Sequence, residues 1–170
     1  IVTGRWPSAI KWDMSIWWPG IARDQRTIAE ALRDHGYFNG AYYAYSYFNR
    51  IDGRGFERGI DQYDDRLAAK HVNVGGPAES VGSSAREMAD DGIDFLKAYR
   101  DQKFFLTLHF YDPHLNYERH PELPSFGDTQ SDLYDGEVLF TDSQIGRLLV
   151  AVDGGEQQFD RPFRRHALSL

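Results

Sequence analysis

Cysteine is absent from the 170 residues. That excludes a disulfide framework, a zinc-thiolate centre and a cysteine nucleophile within the chain, and it leaves the redox compartment open. A surplus of positive charge is missing too, since the formal net charge is -7 at pH 7. A general nucleic-acid binder needs a basic face to displace counterions, so this balance argues against one. An anionic small substrate stays possible, because a few local cations can serve a site inside an acidic protein. No apolar run approaches the ~18 residues of a membrane-spanning helix. No leader pattern is visible, which says little of a chain that opens on Ile1 and reads as a fragment or processed piece. There is neither an internal repeat nor a low-complexity segment.

What is present is an ordinary globular composition, 41% hydrophobic and 26% charged, with a high aromatic share of 15%. The length suits one domain with a real core. The dominant stretch is Lys103-Phe-Phe-Leu-Thr-Leu-His-Phe-Tyr-Asp-Pro-His114. Its apolar, β-prone run from Phe104 to Phe110 predicts a strand buried on both faces, in the interior of a parallel or mixed sheet. Asp112-Pro113 stops that strand, because proline has no N–H for the ladder. His114 then falls at the carboxyl end, where open α/β sheets bind their ligands.

Elements on either side fit the same architecture. Four tryptophans between Trp6 and Trp18 share no period of two or 3.6, so residues up to Gly20 read as irregular aromatic packing or a cleft wall. Thr27-Ile-Ala-Glu30 forms a capping box, Ile28, Ala31 and Leu32 make an apolar stripe, and Gly36 closes the helix. Tyr37 to Phe48 reads as a strand and 65 to 82 as a loop. Ser84-Ala-Arg-Glu87 is a second capping box, opening a helix whose buried face is Ala85, Met88, Ala89, Phe95, Leu96 and Tyr99. Gly92 lies on that face, at a cost of ~1 kcal/mol relative to Ala, which suggests close packing. A third helix starts at Ser131 or Asp132, presents Tyr134, Val138, Ile145, Leu148 and Val152 on one face, and ends at Gly154-Gly155. The order of helix, strand, helix, strand, helix predicts a layered α/β domain with a mixed or parallel sheet flanked by helices.

His114 is the leading candidate for chemistry, as an anion ligand or proton donor, with a loop histidine capping a backbone group as the other reading. His109, inside the strand, either points into the site or is a core histidine with satisfied ring nitrogens, the latter being favoured. Asp112 either orients His114 or ends the strand in an Asx turn, the latter being favoured. His109, Asp112, His114 and His120 have the residue types of a zinc, iron or manganese site, though nothing in their spacing brings them together. Asp132, Asp135, Glu137 and Asp142 read as a solvated helix face, the first three near the positive end of the helix dipole.

Several of these segments share a resemblance. Phe104-Phe-Leu-Thr-Leu-His-Phe-Tyr-Asp-Pro-His114, followed by Tyr134-Asp-Gly-Glu-Val-Leu-Phe-Thr-Asp-Ser-Gln-Ile-Gly-Arg-Leu-Leu149, resembles the middle of a sulfatase, a member of the alkaline-phosphatase-like superfamily. Ile1-Val-Thr-Gly4 resembles the close of the sulfatase nucleophile signature. Thr27-Ile-Ala-Glu-Ala-Leu-Arg-Asp-His-Gly-Tyr37 resembles the helix that follows it, and Gly55-Phe-Glu-Arg-Gly-Ile-Asp61 a later turn.

The resemblance implies that residues 1–153 are the central part of an alkaline-phosphatase-like catalytic domain, with 154–170 an unassigned tail. It implies hydrolysis of sulfate esters on a sulfated small molecule or glycan. The nucleophile would be a formylglycine and the cofactor a calcium ion, with nucleophile and metal ligands outside these residues, so the chain alone would be inactive. His114 would contact the sulfate and aid the leaving group, with Arg5 near the anion; a solvent-facing arginine is the other reading of Arg5. One departure stands out: where many sulfatases carry Gly-Lys-Trp-His, this chain has Tyr43-Ala-Tyr-Ser46. That leaves open a phosphodiesterase or phosphotransferase of the same superfamily, and a catalytically dead binding module is the rival from another class.

Overall fold

The computed structural model describes residues 2–14, 18–50, 53–70, 84–114 and 117–153. In its tryptophan-rich start, the Trp18 ring meets Tyr47 edge-on at 6.1 Å. A two-residue ribbon pairs β1 (Trp12–Asp13) antiparallel with β2 (Gly20–Ile21). Trp6 is 82% exposed and Trp12 and Trp18 are exposed as well. Trp17 lies outside the described residues.

The first helix, α1 (Ile28–Arg33), begins as its sequence requires. Thr27 Oγ1 accepts from the Glu30 amide at 3.1 Å, and the Glu30 carboxylate accepts from the Thr27 amide at 2.8 Å. Such a cap contributes about 1 kcal/mol. Gly36 takes φ +79 after the helix, a left-handed position that costs glycine little. The expected stripe is displaced, however. Ala29 is the buried residue and Ile28 is exposed, because Asn39 closes on this helix from the strand beside it.

That strand is β3 (Phe38–Tyr43), shorter than the expected 37–48 because the chain turns into a 3-10 segment at Ser46–Phe48. The turn after it leads to β4 (Gln62–Asp64) and then α2 (Arg66–Lys70), a helix where the composition suggested only loop. Residues 71–83 lie outside the described residues. α3 (Ala85–Tyr99) buries Ala85, Met88, Ala89, Gly92, Phe95 and Leu96, nearly the face that its periodicity predicts. Next come β5 (Phe104–His109) and α4 (Gln130–Val152).

The sheet order is β4-β3-β5, with both outer strands parallel to β3. Here the main expectation is corrected. Among the described residues β3, not β5, is the middle strand; its residues Asn39 to Tyr43 are all buried, whereas every residue of β5 is half-buried. A continuous apolar run records a preference for burial but does not name its neighbours. On the second edge of β5 no strand pairs among the described residues. The core lies between the sheet and α3, built on Tyr42, Ala44, Leu67, Met88 and Phe95.

α4 packs on α3 through the expected close approach. A methyl group at Gly92 would stand 2.7 Å from Leu108 Cδ1 and 2.9 Å from Leu148 Cδ1. Yet α4 does not bury the face read from its apolar residues. Tyr134, Val138 and Val152 are exposed and Ile145 and Leu148 half-buried, while Glu137, Phe140, Thr141 and Gln144 are buried. Its start is also earlier than expected, because Thr129 and Asp132 form a capping box. The Gly154-Gly155 stop and the tail lie outside the described residues.

Candidate active site at the carboxyl rim of the sheet

Parallel register sets the rim. Tyr43 is paired with His109, so the chain after β3 and the chain after β5 leave the sheet side by side. Tyr45 and Tyr111 consequently stack, with ring centroids 5.0 Å apart, and the His114 ring stacks on Tyr111 at 4.3 Å. The Tyr111 hydroxyl lies 3.2 Å from His114 Nε2. His114 is exposed. The Asp112–Pro113 peptide bond before it is cis.

Asp112 has a partner that its sequence neighbourhood does not contain. Its carboxylate accepts from the Ser84 hydroxyl at 2.7 Å and from the Ser84 amide at 3.1 Å and 3.2 Å. Ser84 therefore does not cap its own helix through its side chain; the second capping box is absent, and the serine ties the head of α3 to the end of β5. A local motif lost to a partner 28 residues away, which no spacing rule contains.

His109 packs against Tyr43 and Phe48, at ring-centroid distances of 6.2 Å and 4.9 Å. The core reading is right in place but not in detail. Nδ1 is buried with no hydrogen-bond partner among the described residues, and burial holds the imidazole below its ordinary value. Burial likewise pushes the Tyr43 phenol up to about 12.

Sequence reasoning missed the pairing of His120 with Glu137. Glu137 was expected on a solvated face, yet its side chain is 2% exposed, and His120 Nε2 stands 3.1 Å from Glu137 Oε1. The same oxygen accepts the Glu118 amide at 2.8 Å. The His120 ring stacks on Phe140 at 3.8 Å, nearly parallel. Burial drives the Glu137 carboxyl upward, the Glu118 amide and His120 pull it back, and the charge of Asp112 adds to the rise. A histidine and a glutamate at separations that place them 17 residues apart in sequence give no local signal; the carboxylate at the helix position between Tyr134 and Phe140 was the only hint.

The four-residue metal constellation is not assembled. Asp112 is taken by Ser84, His120 by Glu137 and His109 by aromatic rings. Among the described residues no group of three or more His, Cys, Asp or Glu side chains is placed to hold a cation. Among the described residues the donors do not form a calcium site. Arg5 is exposed and its guanidinium donates to Gln25 Oε1 at 3.4 Å. In the Tyr43–Ser46 segment, Ala44 is fully buried and Tyr45 joins the ring stack. Behind it the buried Arg54 donates to the carbonyls of Ser46 and Tyr47 and lies 4.8 Å over the Tyr47 ring.

A model of the sulfatase family matches residues 1–158. The chain belongs to the sulfatase family. Among solved structures, Ps i-CgsB is similar at 17% identity over 79% of this chain, with a TM-score of 0.57. Ps i-CgsB in complex with k-i-k-neocarrahexaose is similar over 81% of the chain, at the same identity and TM-score. A protein of the alkaline phosphatase superfamily from Vibrio parahaemolyticus is similar at 21% identity over 76% of the chain, with a TM-score of 0.54. At these identities the likeness concerns the fold, which is alkaline-phosphatase-like α/β. The sulfatase chain spans 38% of the length of Ps i-CgsB and 32% of the Vibrio protein. No curated protein matches the sequence.

Proposed function

We propose that this chain supplies the His114-bearing part of a sulfuric ester hydrolase acting on a sulfated small molecule or glycan. The observation that carries the reading is the family match over residues 1–158, which includes an exposed histidine at the carboxyl end of a parallel strand. His114 binds the sulfate oxygens and donates to the ester oxygen as the S–O bond breaks. Tyr111 holds the ring by stacking and by its hydroxyl at 3.2 Å from Nε2. Arg5 is proposed as a second anion contact on release from Gln25. Formylglycine and calcium, which the family resemblance implies, belong to the full-length polypeptide in this reading. A bound neocarrahexaose in a related structure supports a glycan as the sulfated substrate.

A second reading rests on one observation. Tyr43–Ser46 presents no lysine or histidine where many sulfatases carry both, so a phosphate ester is the alternative substrate. The test is turnover of paired sulfate and phosphate monoesters of the same phenol by the full-length polypeptide that contains this chain. Faster sulfate turnover, by tenfold or more in kcat/KM, is expected. A reversal of that ratio replaces the sulfatase reading with the phosphoesterase one.

A further inference from the structure

We propose that Ser84 and Glu137 are positioning residues for His114, which pin the segment carrying it from two different helices. The inference rests on the reading of His114 as the sulfate ligand. Two residues before His114, Asp112 is bound by the amide and hydroxyl of Ser84 at the head of α3. Four residues after it, the Glu118 amide is bound by Glu137 of α4, which also meets His120. Chain of two and four residues reaches at most about 7 Å and 14 Å. Two fixed points therefore flank His114 at short range along the chain. The helices that supply them pack closely on each other at Gly92 and Leu148, so the two pins share one frame. The charge of Asp112 is felt at Glu137, which places both pins within electrostatic reach of each other.

The composition of α4 argues that this is not simply stability. Glu137 sits on the buried face of a helix, with Phe140 nearby, where apolar side chains are the usual occupants. Instead a carboxylate is desolvated, and its Oε2 has no hydrogen-bond partner among the described residues. Buried ions of this sort seldom improve stability over apolar residues. Departures from core rules collect where a site must be held in place. A displacement of about 1 Å at a reacting group is enough to cost about a hundredfold in rate. Both anchors are thus suited to preserving a geometry.

The experiment measures kcat and KM for a sulfate ester in the full-length polypeptide, with each variant assayed well below its own melting midpoint. Glu137→Ala, which removes the acceptor, is expected to lower kcat by tenfold or more with KM within threefold. Glu137→Gln keeps an acceptor oxygen and is expected within threefold of the unmodified enzyme. Ser84→Ala is expected to lower kcat by threefold or more. A folded Glu137→Ala with kcat within twofold of normal overturns the proposal, as does Glu137→Gln losing as much as Glu137→Ala. Should Glu137→Ala not fold, Ser84→Ala decides, and unchanged kcat there overturns it. His114→Ala separates the two levels. If it abolishes turnover while the anchor variants keep theirs, only the positioning role falls. If His114→Ala keeps normal turnover, the functional reading falls and the positioning role with it.

Discussion

The ring of Phe95 lies directly over Gly40. An ideal Cβ on Gly40 would stand 2.3 Å from Phe95 Cε2 and under 3 Å from two further ring carbons. Gly40 is on β3, the middle strand, and Phe95 on α3 is 2% exposed within the core cluster. The glycine is there to let a helix ring touch a sheet backbone.

Gly40→Ala follows from that contact. A planar ring packed on several sides has no flexible end to swing away, unlike the leucine tips around Gly92. Forcing one methyl group into such a site costs about 1–3 kcal/mol. Urea unfolding of the variant is expected to show a lower midpoint with an unchanged slope. An unchanged midpoint would mean that Phe95 does not pack on this strand.

His109 gives a pH dependence. Its imidazole is held below the ordinary value by burial, so the unfolded chain binds the proton more tightly than the folded one. The stability from the neutral ring is fully present above about pH 6.5, the unfolded value. It is lost as pH falls through the depressed folded value. His109→Phe, which keeps a ring between Tyr43 and Phe48, is expected to flatten the acid limb of a plot of melting midpoint against pH. A limb of undiminished slope in that variant would assign the acid sensitivity to other groups.

Much of the fold was legible because its signals were local. The Thr27 box, the Gly36 cap and the buried face of α3 each depend on residues within a few positions of one another. Gly92 also gave itself away, as a glycine on an otherwise apolar helix face. The misreadings have one cause in common, which is a distant partner overriding a local pattern. Ser84 has the composition of a capping box, yet Asp112 takes its hydroxyl. α4 carries its apolar residues on one face and buries another, since Glu137 is drawn to the Glu118 amide and His120. β5 has the sequence of an interior strand, although β3 holds the middle position among the described residues.

The candidate site divides in the same way. His114 could be placed at the strand end because Asp112-Pro113 marks where the ladder stops. Its surroundings could not, because Tyr45, Ser84 and Glu137 reach it or its neighbours from three other stretches of chain.

The role of His114 is tested most directly by the turnover of a sulfate ester in the full-length polypeptide carrying His114→Ala, with circular dichroism confirming the fold. The ring contacts of His114 are made to Tyr111 at an exposed rim, so its removal should leave the fold intact. A fall in kcat of more than tenfold is the expected result. Near-normal turnover in a folded variant would contradict the account and remove His114 from the site.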